Sequence, residues 1–75
     1  MAEVSTKMNF TGRINKRGDQ LCVVEVIFDG HTVNWLVAES LFAPNGEQAM
    51  IPHASFKQRG AAFDYAMTTH IDGYE

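Results

Sequence analysis

Asp29-Gly30 constrains this 75-residue chain more than any other feature. It lies between two runs rich in β-branched and aromatic residues, 20–28 and 31–37. In that setting an Asp-Gly pair predicts a two-residue type I′ turn, whose central residues both need positive φ. The loop fixes a register. Phe28 faces His31, Val26 faces Val33, Val24 faces Trp35 and Cys22 faces Val37, an almost wholly apolar face. The other face pairs Ile27 with Thr32, Glu25 with Asn34 and Val23 with Leu36. A slip of one residue would scramble this division.

Residues 8–14 alternate as a further strand with a glycine at position 12, joined to the hairpin by the polar turn 15–19. Met8 and Phe10 then join the apolar face. Residues 1–7 are polar and without period, which predicts a flexible N-terminal tail ahead of a single small domain, 8–75. Residues 38–43 read as a helical turn stopped by Pro44-Asn45-Gly46. Residues 47–51 fit either a short strand or a helical approach. Ser55-Phe56-Lys57-Gln58 has the form of a capping box. Phe56, Phe63, Met67 and Ile71 then recur near helical spacing, with Ala62 and Ala66 beside them. Asp72-Gly73 is the expected stop.

The expected fold class is α+β: a three- to four-stranded antiparallel β-meander with a C-terminal amphipathic helix packed on one face. That face is expected to carry Met8, Phe10, Val24 and Trp35. An SH3-like or OB-like small barrel plus helix is the alternative if residues 47–51 pair as a strand.

Three runs carry a family resemblance. They are Val24-Glu25-Val26-Ile27-Phe28-Asp29-Gly30, Val33-Asn34-Trp35-Leu36-Val37-Ala38-Glu39-Ser40-Leu41 and Ala54-Ser55-Phe56-Lys57-Gln58-Arg59, followed by a helix ending near Ile71. Together they resemble the YrdB-like family of short bacterial proteins, a domain of unknown function. The resemblance covers about residues 8–71. It implies an α+β fold and a bacterial origin, and it transfers no activity.

The chain is 45% apolar and 20% charged, with a net charge of −3, which argues for a folded protein and against non-specific binding to duplex DNA or anionic membrane. No apolar run approaches the roughly 20 residues that span a bilayer, and the N-terminus lacks the marks of a secretory signal. A single cysteine, Cys22, cannot form an internal disulfide, so a cytoplasmic location is expected. On the apolar face its thiol is expected to pack and stay inert.

His31, His53 and His70 are widely spaced and form no ligand pair, so neither a metal nor another cofactor is expected. No carboxylate pairing demands acid–base chemistry, and no phosphate-cradling or nucleophile-elbow motif occurs. No catalytic residue is expected. Two surface features remain. Val23, Ile27 and Leu36 read as an apolar patch rimmed by Glu25, Thr32 and Asn34, the form of a protein interface. Arg13, Lys16 and Arg17 cluster at one hairpin loop, where they would contact nucleic acid. The expected function is therefore non-catalytic: protein–protein association or homodimerisation. A nucleic-acid-binding module using the Arg13–Arg17 loop is the alternative.

Overall fold

The computed structural model describes residues 2–71 and 73–74. Strands β1 (Val4–Ile14), β2 (Gln20–Phe28), β3 (His31–Phe42) and β4 (Gln48–Phe56) form one antiparallel sheet in chain order. Helix α1 (Arg59–Thr68) packs on one face of it. This is the expected α+β meander, with four strands.

The central hairpin turns where Asp29-Gly30 predicts. Asp29 has φ 49° and Gly30 φ 80°, the two left-handed residues of a type I′ turn. Phe28 pairs with His31 and Ile27 with Thr32, again as expected. The register then shifts at Val33, and Val26 pairs with Asn34, Val24 with Leu36 and Val23 with Val37. A bulge of this kind inserts one extra residue into one strand and exchanges the faces beyond it. The run Leu21-Cys22-Val23-Val24 is apolar on both sides of the strand, so burial tolerates either register.

This shift corrects the assignment of the dry face. The core under α1 joins Leu21, Val23 and Val37 to Ala62, Ala66, Ile71 and Tyr74, with Trp35, Phe56, Phe63 and Tyr65 partly buried around it. Trp35 lies on the helix side as expected. Met8, Phe10 and Val24 lie on the opposite face, because Met8 pairs with Val24 and Phe10 with Cys22.

Other departures have local causes. Residues 4–7, expected as tail, pair with residues 25–28. Glu3 N donates to Asp29 Oδ1 and Asp29 N donates to Glu3 O, both at 2.9 Å. Such backbone pairing needs no apolar pattern. Residues 38–42 continue β3 rather than turning helical, since they pair with β2 or β4 or both. β4 extends beyond 47–51 and accommodates Pro52 because it is an edge strand, with a register shift beside it. Ser55 sits in β4, and the helix begins after an extended Gln58 that makes no side-chain cap. The buried stripe of α1 is Ala62 and Ala66, whereas Met67 is 53% exposed. Small residues let the helix approach the sheet. After α1, Gly73 has φ 89° and Tyr74 N bonds Ile71 O; Asp72 lies outside the described residues.

Candidate interaction surface

Paired residues share a face and alternate along each strand, so the ladders assign every regularly paired strand residue to a side. The side without the helix carries Met8 and Phe10 from β1, Cys22 and Val24 from β2, Ala38 and Ser40 from β3, and Met50 and Pro52 from β4. Its floor is closed: Cys22, Val24, Ala38 and Ser40 are each at most 2% exposed. The closure comes from the two edge strands. Gln48 Nε2 reaches from β4 to Ser40 Oγ at 2.6 Å and to Met8 Sδ of β1 at 3.7 Å. The sheet is therefore bridged across this face by its own edge side chains.

Around that floor the face stays open and apolar. Val4, Phe10, Ile14, Phe28, Phe42 and Met50 all lie on it with large exposure, Phe42 reaching 66%. The rest of the face is neutral, with residues such as Thr6, Gln20, Asn34, Gln48 and Ser55. Among the described residues paired on this side there is no Asp, Glu, Lys or Arg, and His31 at one end is its sole ionisable group besides the buried Cys22 thiol. The helix side differs. There Lys7 pairs with Glu25, Thr32 Oγ1 donates to Glu25, and Glu39 accepts from or pairs with His53 at 3.0 Å.

The residues expected to form an apolar patch do not share a face. Val23 is fully buried beneath α1, Ile27 lies on that same side, and Leu36 lies on the helix-free side. The Val33 bulge separates them. The surface that is exposed and apolar was hidden from the sequence because it is drawn from four strands. Its signal is the lack of charge at every second position, which is visible only once the registers are known.

Arg13 is engaged within the fold. Its Nη1 donates to the Ala66 carbonyl at 2.6 Å and the Thr69 carbonyl at 2.9 Å, so its cation meets the C-terminal end of α1. Arg17 is exposed and pairs with Asp19 at 3.2 Å. Lys16 is exposed in the same loop. Asn15 organises the turn, its Oδ1 accepting from the backbone N–H groups of Arg17 and Asp19.

Groups able to do chemistry are few. The Cys22 thiol is buried, donates to Ala38 O at 3.4 Å, and has its pKa pushed up by burial, which keeps it protonated. The buried Tyr74 hydroxyl is pushed up to about 12, first by burial and then by the Glu39 and Asp19 carboxylates. Among the described residues no three of His, Cys, Asp and Glu converge to hold a metal ion. An open recess of about 210 Å³ is lined by Ile14, Asn15, Lys16 and Gly73. It is smaller than the roughly 300 Å³ at which small-molecule sites begin. No helix among the described residues is long and apolar enough to cross a membrane.

Comparison of the chain with protein-family models, with curated proteins and with solved structures gives no match, so the resemblance to the YrdB-like family rests on the quoted residues alone.

Proposed function

We propose that this protein is a non-catalytic association domain whose working surface is the helix-free face of its sheet. One observation carries the reading: that face exposes Phe10, Phe28, Phe42 and Met50 with no Asp, Glu, Lys or Arg paired among them. Exposed apolar residues gathered without charge on one face of a small chain are a mark of a protein contact. Aromatic residues and methionine are also the types enriched at contact cores, where charged residues are depleted. The test is amide hydrogen exchange on the full chain as its concentration is raised, and again in cell extract. Protection gained by residues 6–10 and 38–42, with none gained on α1, supports the reading. Unchanged exchange in both series rejects it.

Nucleic-acid binding through Arg13, Lys16 and Arg17 is less well supported. Arg13 is held by the helix carbonyls and Arg17 by Asp19. A gel shift at low salt that is lost in the double variant Lys16→Glu and Arg17→Glu would restore it.

A further inference from the structure

We infer that the outer edge of β1 pairs with the same edge of a second copy, antiparallel about a two-fold axis through Ser5, so that two sheets join into one. The inference does not depend on the helix-free face; it starts from the backbone. Strand order leaves two edges, β1 and β4. β4 is a poor template, because Pro52 offers no N–H and the register shifts beside it. β1 pairs with β2 without interruption from Val4 to Phe10, and Val4, Ser5, Thr6 and Lys7 are all exposed. The Arg13 hydrogen bonds to α1 lie at the far end of the strand. β4 meets β1 through the Gln48 side chain, and its backbone does not approach.

The phase of the ladder decides which groups are free. Asp29 N donates to Glu3 O, so Glu3 turns its carbonyl toward β2. Along an antiparallel strand the backbone groups of successive residues turn to alternate sides. Ser5 and Lys7 follow Glu3, whereas Val4, Thr6 and Met8 turn their N–H and C=O groups outward. Such an unpaired row is the template on which another strand adds.

Charge selects the occupant and its register. Lys7 is the sole cation of residues 2–10, and Glu3 is the sole anion. Glu3 stands beside Asp29, so that end of β1 is acidic while its middle is basic. Opposite charges directly across a ladder stabilise it, and like charges destabilise it. An axis through Ser5 sets Lys7 opposite the partner's Glu3, and Glu3 opposite the partner's Lys7. One strand therefore supplies both halves of the complement. An axis through Lys7 would oppose the two lysines, and one through Thr6 would leave Lys7 opposite the partner's Ser5. In the Ser5 register Val4, 64% exposed, meets the partner's Thr6. Met8 meets the partner's Ala2, a residue small enough to leave the Gln48 contact in place.

The full chain is measured by sedimentation equilibrium from about 1 to 200 μM, a range bracketing ordinary micromolar association. Four variants accompany it: Thr6→Pro, Glu3→Lys, the charge exchange Glu3→Lys with Lys7→Glu, and Phe42→Asp. The expected parent species has twice the 8.4 kDa chain mass. Thr6→Pro removes an outward N–H that serves no bond within the chain, and it should raise the dissociation constant at least about tenfold. Glu3→Lys sets like charges opposite each other and should weaken the dimer similarly, while the charge exchange restores it. Phe42→Asp should leave it unchanged. Far-ultraviolet dichroism reports whether each variant is folded; if Thr6→Pro is not, the charge exchange decides. A strict monomer overturns the inference, whatever other strand the edge accepts. So does a dimer that folded Thr6→Pro leaves intact, or a loss with Glu3→Lys that the charge exchange does not reverse. A dimer lost only with Phe42→Asp overturns the edge pairing and leaves the helix-free face standing as the association surface.

Discussion

At the scale of single residues, Arg13 and Tyr74 hold the C-terminal segment against the sheet, Arg13 by hydrogen bonds and Tyr74 by burial of its ring in the core. Arg13 closes two carbonyls at the end of α1 that have no partner within the helix. Bonds donated by a charged group to such carbonyls each contribute about 1–2 kcal/mol when partly exposed. Arg13→Ala is therefore expected to lower stability by about 2 kcal/mol. Arg13→Lys should recover only part of this, because both bonds come from Nη1 and a lysine side chain places its nitrogen one bond short of that position. Thermal melts and amide exchange at Thr69 check both. Tyr74 titrates at about 12 instead of its ordinary 10 because burial opposes the phenolate. A group raised in the folded state supports folding fully below pH 10 and loses that support as pH climbs toward 12. The chain should consequently lose stability across pH 10–12, and Tyr74→Phe should remove that slope. Absorbance of tyrosinate together with dichroism follows both events.

At the scale of elements, the helix and β2 meet through small residues and branched aliphatics. Leu21 is fully buried at the centre of the core, and Leu21→Ala should cost about 2–5 kcal/mol, read by urea unfolding. Ala66 is fully buried against the sheet, so Ala66→Leu should overfill the contact and destabilise by about 1–3 kcal/mol. Ala61, exposed one residue before the buried Ala62, provides the comparison: Ala61→Leu should be close to neutral. The hairpin β2–β3 was readable in the sequence because Asp29-Gly30 has a local steric reason to turn. Its register beyond Thr32 was not readable. A bulge at Val33 obeys no local signal here, and the run Leu21–Val24 is apolar on both sides. The helix starts later than Ser55 and Gln58 suggest, because Ser55 belongs to the edge strand and Gln58 makes no side-chain cap.

At the scale of the whole molecule, the helix-free face has a closed floor bridged by Gln48 and Met8 and a margin where Phe10, Phe42 and Met50 stay exposed. Pairing of two copies along β1 would stabilise the native state by mass action. The melting temperature should then rise with protein concentration, and Thr6→Pro should flatten the dependence. A melting temperature independent of concentration between about 1 and 200 μM would speak against a linked dimer.

What the sequence alone determined was local: the type I′ turn at Asp29-Gly30, the presence of strands around residues 8–14, 20–28 and 31–37, the C-terminal helix, and hence the α+β meander. Each follows from backbone sterics or from period along the chain. Which sheet face the helix covers was decided only in three dimensions, because both sides of β2 are apolar and one extra residue at Val33 exchanges the partners. The charge-free face and the engagement of Arg13 by α1 likewise join residues from distant strands, and no spacing within a single segment encodes them.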